Sequence, residues 1–185
     1  MKFNYGKNDF KSFKSGNEHC YLLTNGLGGF SSTTLINSLA RNDHSLFMAC
    51  TKAPNNRKNI ISKVEEILRI DNKEVHLSSQ EYVCYTKNIA GFHNIHSFSQ
   101  EYLPKWTYFY DGVEIIKTIV YEQGKNTLGI KYSIDNRNDK DVKLEVIPVF
   151  VFAKRGEILS SPHNYTIKND TFIANDIELK IGRAS

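Results

Sequence analysis

The 185-residue sequence predicts an all-β fold, a single antiparallel β-sandwich domain spanning residues 1–185. In the clearest stretches apolar residues recur at every second position, which places them on one face of a pleated strand. Turn-forming residues separate these stretches at short intervals, whereas parallel strands would need crossovers of about a dozen residues or more. The length suits one domain with its own core.

The first long candidate strand is Ile60–Ile70, I-I-S-K-V-E-E-I-L-R-I. Its apolar residues fit helical spacing as well as a strand, so periodicity alone leaves both open. Strong strand formers favour the strand, which we expect here. We expect the first dozen residues and Asn136–Asp141 to be the most flexible parts of the chain.

Two hairpins are predicted by turn residues between alternating strands. The first joins Trp106–Tyr110 to Val113–Tyr121 through Asp111-Gly112, and the second joins Val113–Tyr121 to Thr127–Ile134 through Gln123–Asn126.

The C-terminal third predicts further strands. Val142–Phe152 is almost continuously apolar, which predicts a strand covered on both faces, with Pro148 at a bulge or an edge. Tyr165–Asn169 and Ile177–Ile181 follow, with turns at Asn169-Asp170 and Asn175-Asp176.

Charge and composition narrow the class of protein. Lys and Arg total 24 against 20 Asp and Glu, but the cations are scattered singly, so nucleic acid is a poor partner. No stretch reaches the roughly 20 apolar residues of a membrane helix, and the first residues lack a secretory signal, so we expect a cytoplasmic protein without a membrane partner. Cys20, Cys50 and Cys84 share no metal-binding spacing and are expected as reduced thiols in or near the core.

The stretch Y-L-L-T-N-G-L-G-G-F at residues 21–30 contains three glycines within four positions. A phosphate loop would need these glycines to open a helix, but the residues that follow read as a strand. Taken alone, the stretch predicts a turn that requires positive φ.

Several segments in order resemble the N-terminal domain of bacterial and archaeal glycogen debranching enzymes of the amylo-α-1,6-glucosidase type. The glycine turn is the most specific of them. The segments are L-L-T-N-G-L-G-G-F (22–30), A-R-x-x-H-x-L (40–46), A-P-N-N-R (53–57), S-K-V-E-E-I-L (62–68), L-S-S-Q-E-Y (77–82), P-K-W-T-Y (104–108), G-V-E-I-I-K-T-I-V (112–120) and G-K-N-T-L-G-I-K-Y (124–132). The resemblance fades after Phe152.

This resemblance implies an all-β supersandwich of the galactose-mutarotase type, which in the family precedes a helical toroid that carries the catalytic carboxylates. Nothing in the chain resembles the toroid. The chain looks like the accessory domain, which would help to position an α-glucan such as glycogen or a maltooligosaccharide, or pack on the toroid in cis or in trans. We expect the last strands to form an incomplete second half of the sandwich, and uncovered strand edges would then favour a homo-oligomer.

The resemblance implies that the glycine turn and the loop after it are candidate substrate-binding elements. Their residues are Thr24, Asn25, Gly28, Gly29, Arg41 and His44. Asn25 could bond either its own turn or a sugar hydroxyl. Around Arg41 and His44 the family typically has N-T-R-R-Y-H-G-L-L, and the replacement of a cation, an aromatic and a glycine here puts the role of this loop in doubt.

Residues 106–110 place the rings of Trp106, Tyr108 and Tyr110 on one strand face, at a pitch suited to successive sugar units. The same stripe could instead pack between two sheets as core, which we favour. Exposure of the Trp106 ring distinguishes the two.

No catalytic residue is predicted. Glycoside hydrolysis needs two carboxyl groups roughly 5–9.5 Å apart, and Glu65 and Glu66 point to opposite faces of a strand. We expect these carboxylates to be solvated or in turns. No cofactor or metal is expected, and His93 with His96 looks like part of a loop.

Three alternatives remain open. The chain could be a free-standing carbohydrate-binding or regulatory module, or a structural docking domain. A mutarotase-like epimerase would need a histidine acid and a carboxylate base, and its acid could be His44, His93, His96 or His163.

Overall fold

The computed structural model describes residues 2–82, 88–157, 164–174 and 176–183, and most of its regular structure is β-strand. The sixteen strands of these residues are β1 (Phe3–Gly6), β2 (Leu23–Thr24), β3 (Phe30–Ser32), β4 (Ser45–Lys52), β5 (Asn56–Ile70), β6 (Lys73–His76), β7 (Ser79–Gln80), β8 (Ile89–Ala90), β9 (Ile95–Gln100), β10 (Pro104–Tyr110), β11 (Val113–Tyr121), β12 (Leu128–Asn136), β13 (Val142–Lys154), β14 (Thr166–Lys168), β15 (Thr171–Ala174) and β16 (Ile177–Lys180). The helices are short: α1 (Phe13–Asn17) and two 3-10 turns, Lys7–Asp9 and Gly91–Asn94. The all-β fold is confirmed.

Two large antiparallel sheets form the layers. Sheet I has the order β1-β9-β10-β11-β12, and sheet II has the order β13-β5-β4-β3-β2, with β6 paired to the end of β5. A third sheet, β14-β15-β16, and the pair β7-β8 complete the regular structure of the described residues. This arrangement agrees with a sandwich, while the supersandwich type remains a prediction.

The inner faces of sheets I and II share one core. Trp106 lies at its centre, fully buried, with its ring 5.2 Å from the Tyr21 ring and 5.0 Å from the Phe98 ring, and its Nε1 donates to the Leu35 carbonyl at 2.7 Å. A second apolar cluster contains Ala174 and Ile177 of the third sheet and side chains of sheet II.

The predicted turns are confirmed wherever the structure describes them. Asp111 and Gly112 both have positive φ, 45° and 77°, which suits the two-residue hairpin between β10 and β11. Asn169 and Asp170, also at positive φ, connect β14 to β15. The predicted Asn175-Asp176 turn lies partly outside the described residues, as Asn175 does; Cys84 and His163 are outside them too.

The ambiguous stretch Ile60–Ile70 is a strand, as favoured, within the 15-residue β5. At the N-terminus, Phe3–Gly6 pairs with β9 as an edge strand of sheet I, and the flexibility of the first dozen residues stays a prediction. The prediction that His93 and His96 lie in a loop was wrong. His93 belongs to the 3-10 turn Gly91–Asn94, and His96 belongs to β9, which begins at Ile95.

Strand β13 is an edge strand of sheet II, and side chains on both of its faces are exposed, so the prediction that both faces are covered was wrong. Val146 and Ile147 are exposed on its two faces, and Pro148 lies next to a register shift after Val149, as an edge proline should. On sheet I the edge strand β12 likewise exposes Ile134. No described strand covers either edge.

A charged pair is buried between the sheets. Glu66 and Lys117 are almost completely buried, and Glu66 Oε1 lies 2.5 Å from Lys117 Nζ. Tyr132 donates to the same carboxylate at 2.7 Å, and Lys117 also donates to Asn37 Oδ1 at 3.1 Å. The expectation of a solvated Glu66 was therefore wrong: its strand face points inwards, where Lys117 compensates its charge.

The remaining predictions concern thiols and membranes. Cys50 is buried and Cys20 is partly buried, both as free thiols. Among the described residues, no helix has the length and apolar character needed to span a membrane.

Candidate functional site

The glycine turn forms the floor of an open cleft at the β2–β3 end of sheet II. The cleft has a volume of about 460 Å³. Its lining residues come from four segments of the chain: Leu22, Thr24, Gly26, Gly28, Gly29, Phe30, Ser32, Arg41, Asp43, His44, Arg57 and Arg155.

Asn25 holds the turn together from inside. Its Oδ1 accepts from the backbone N–H groups of Leu27 at 3.0 Å and Gly29 at 2.9 Å. Its Nδ2 donates to the Lys125 carbonyl and to Asn126 Oδ1. The side chain is fully buried, so Asn25 bonds its own turn and has no group left for a sugar hydroxyl.

Two glycines are required by close packing. Gly28 has φ of 99°, and a Cβ atom there would lie 2.4 Å from the Pro54 carbonyl oxygen. At Gly29 a Cβ would lie 2.6 Å from the Tyr121 hydroxyl oxygen. These positions therefore exclude side chains, and the floor of the cleft is bare backbone.

The hairpin between β11 and β12 of sheet I clamps the same turn. Gly124 N–H donates to the Asn25 carbonyl at 2.8 Å, and Gln123 Nε2 donates to the Thr24 carbonyl at 2.6 Å. Asn126 bonds both backbone groups of Cys50 in β4. The turn is thus fixed by both sheets.

His44 closes one side of the cleft and is itself buried. Its Nδ1 accepts from the Ala40 N–H at 3.1 Å, so the neutral ring carries its proton on Nε2 and donates to Cys20 Sγ at 3.4 Å. Burial, followed by the neighbouring Arg41 cation, lowers the pKa of His44. Both ring nitrogens are occupied, which leaves neither for proton transfer to a ligand.

Arg57 and Arg155 form the opposite side. Arg57 Nε donates to the Gly28 carbonyl at 2.6 Å, and its backbone carbonyl accepts from the Arg155 N–H at 3.0 Å. The Arg155 guanidinium bonds Asp43 at 2.7 Å and lies 5.8 Å from the Phe30 ring centre. The hydrogen bond from Arg155 lowers the pKa of Asp43.

A family model described as glycogen debranching enzyme N terminal matches residues 19–182. The chain belongs to this family. No curated protein and no solved structure matched the chain. The match extends to residue 182, so the expectation that the likeness fades after Phe152 was wrong, and the last three strands belong to the family region.

The cleft of this debranching-enzyme N-terminal domain gathers most of the predicted site residues. Thr24, Gly28, Gly29, Arg41 and His44 line it, and Asn25 supports it from below. The altered loop at residues 41–45 therefore does contribute to the lining.

Trp106 and Tyr108 were candidate substrate-binding residues, and the structure places both in the core instead. They are 0% and 1% exposed, and the Tyr108 hydroxyl accepts from Asn37 Nδ2 inside the core. The alternating rings face the other sheet, where large buried area stabilises the sandwich, so the favoured core interpretation holds.

Arg57, Arg155, Asp43 and Phe30 were not predicted as site residues. Arg57 ends the A-P-N-N-R segment, Phe30 ends the glycine-turn segment and Asp43 lies within the 40–46 segment, so three of the four stood inside motifs already noted. Nothing in the sequence marked Arg155, which reaches the cleft through the pairing of β13 with β5. Within the described ranges, no three His, Cys, Asp or Glu side chains are grouped to hold a metal ion.

Proposed function

We propose that this domain is a non-catalytic part of a debranching enzyme and that its cleft binds and positions an α-glucan for a helical catalytic domain, in cis or in trans. One observation carries the proposal: residues from the glycine turn, the 41–44 loop, β5 and the end of β13 converge on a single cleft in a chain of this family.

The chemistry of the lining supports a carbohydrate ligand. Guanidinium, carboxylate and hydroxyl groups of Arg41, Asp43, Ser32 and Thr24 offer donors and acceptors for sugar hydroxyls. The half-buried Phe30 ring adds apolar surface. A bare turn lets a glucan chain approach the backbone closely.

The same lining supports a role without hydrolysis. Asp43 is the one carboxylate among the described residues that line the cleft, and it is held by Arg155. Acid–base cleavage of a glycosidic bond needs a second carboxyl group. His44 adds no acid, because its ring nitrogens are both engaged.

Calorimetric titration of maltohexaose into the 185-residue chain tests the proposal. We expect binding that weakens by about tenfold in Arg41→Ala, the loss of one charge-assisted hydrogen bond. Arg137→Ala serves as the control, because Arg137 is an exposed arginine at the end of β12, paired with Asp135 and outside the cleft. Absence of binding, or equal weakening in both variants, would overturn the glucan role.

A second candidate function is docking, and the exposed apolar side chains at the free edges of both sheets favour it. Ile134 on β12 and Val146 on β13 face inwards yet are exposed, so an added strand or surface would bury them. Sedimentation of the chain tests whether a second copy takes this place: a dimer lost in Val146→Lys supports self-association, and a clean monomer favours the catalytic domain.

A further inference from the structure

The cleft carries more positive charge than a neutral glucan needs. Three arginines, Arg41, Arg57 and Arg155, line it against one carboxylate, Asp43, among the described residues. His44 contributes no charge, since its Nδ1 accepts a backbone hydrogen bond. The net charge of the lining is therefore positive, although the cations of the sequence as a whole are scattered.

The arginines retain hydrogen-bond donors that the protein does not use. Arg57 spends its Nε on the Gly28 carbonyl, and neither of its terminal nitrogens has an acceptor among the described residues. The Arg41 side chain makes no hydrogen bond or ion pair with another described residue. Arg155 uses one nitrogen on Asp43. A guanidinium presents five donors in a planar fork that matches the oxygens of a phosphoryl group.

The glycine turn itself is not an anion hole. The N–H groups of Leu27 and Gly29 already donate to Asn25 Oδ1. An anion would therefore be held by the arginine side chains that line the cleft above the floor.

We propose that the cleft binds a phosphoryl group through Arg41, Arg57 and Arg155, whether it is free orthophosphate or the phosphate monoester of a sugar. This goes beyond the glucan role, because a phosphoryl group needs only the arginines and could bind with or without a glucan. Charge-assisted and bidentate pairs of this kind are the strongest hydrogen bonds that side chains make.

The test is calorimetric titration of orthophosphate, glucose 6-phosphate and glucose into the 185-residue chain at low ionic strength. Both phosphates should bind and glucose should not, and added salt should weaken the binding. Equal affinity for the two phosphates would show that the phosphoryl group alone is recognised and that the sugar adds nothing to binding. Tighter binding of glucose 6-phosphate identifies a sugar phosphate.

Variants assign the binding to the cleft. Arg41→Ala and Arg155→Ala, both at exposed positions, should each weaken phosphate binding about tenfold, while Arg137→Ala should not. Arg57→Lys keeps the charge but loses the fork, and should weaken binding with no loss of folding. Circular dichroism confirms that each variant is folded.

The proposal is overturned if neither phosphate binds the folded chain, or if the cleft variants bind as well as Arg137→Ala. Its failure is distinct from failure of the glucan role. If maltohexaose binds and phosphate does not, the glucan role stands and the phosphoryl site is rejected. If phosphate binds and maltohexaose does not, the phosphoryl site stands and the glucan role is rejected.

Discussion

Glu66 and Lys117, on facing strands of the two sheets, form an ion pair in the centre of the sandwich with 2.5 Å between Glu66 Oε1 and Lys117 Nζ. Glu66 also receives the Tyr132 hydroxyl, and Lys117 lies 5.2 Å from the Trp106 ring centre. Each charge depends on the other, because neither reaches water.

Removing one partner of this pair should be costly. We expect Lys117→Met to lower the free energy of unfolding by about 3–5 kcal/mol, since it leaves the Glu66 charge buried without a partner. Urea denaturation measures the loss. The double variant Glu66→Gln/Lys117→Met should recover much of it. A loss below about 1 kcal/mol would contradict the buried pair, since that is the range of exposed pairs.

Alanine substitution at three glycines distinguishes the cost of backbone strain from the cost of a crowded Cβ atom. Gly28 has positive φ and no space for a Cβ, Gly124 has positive φ and open space, and Gly6 has open space at ordinary φ. Alanine should cost least at Gly6, about 1–2 kcal/mol at Gly124, and more than that at Gly28. Thermal and urea unfolding rank the three variants. Equal losses at Gly28 and Gly124 would show that Pro54 does not crowd the turn.

His44 makes stability depend on pH. Its folded pKa is lowered by burial and by Arg41, so the unfolded chain takes up the proton more readily. The groups facing the ring are Arg41, Asp43, Cys20 and the Ala40 N–H. Stability should therefore begin to fall as the pH drops through about 6.5, the pKa of the unfolded histidine. Below the folded pKa, His44 should cause no further loss of stability.

The comparison with His44→Gln isolates this effect from the carboxylates. The variant should lose less stability than the parent chain between neutral and mildly acidic pH, measured by urea denaturation at each pH. Parallel pH profiles of the two proteins would refute the assignment.

Trp106 is the single tryptophan of the chain, so its emission reports its surroundings directly. Full burial predicts a blue-shifted emission and weak quenching by acrylamide in the folded protein, both reversed by urea. Maltohexaose should leave the emission unchanged, because the ring lies outside the cleft. Strong quenching in the native state would contradict the core position.

The strands and hairpins were predictable because their signals are local. Alternation in residues 128–134 and the Asp111-Gly112 turn need only neighbouring residues to be read. Burial depends on what lies opposite, so alternation alone could not decide whether Trp106 faces solvent or a second sheet. For the same reason it could not show that Lys117 compensates Glu66.

The cleft was predictable only in part. The glycine turn and the 41–44 loop lie close in sequence, and their motifs marked them. Arg155 is more than a hundred residues from both, and it arrives because β13 pairs with β5 beside Arg57. Because strand pairing brings Arg155 to the cleft, the residues next to it in the sequence carry no sign that it belongs to the site.

The clamp of the β11–β12 hairpin on Asn25 joins residues about a hundred positions apart. Contacts of such long sequence separation form only after much of the chain has collapsed, because closing the intervening loop costs entropy first. The floor of the cleft should consequently be among the last parts to reach its native shape during refolding. Ligand affinity would return later than strand content in a stopped-flow experiment that follows both.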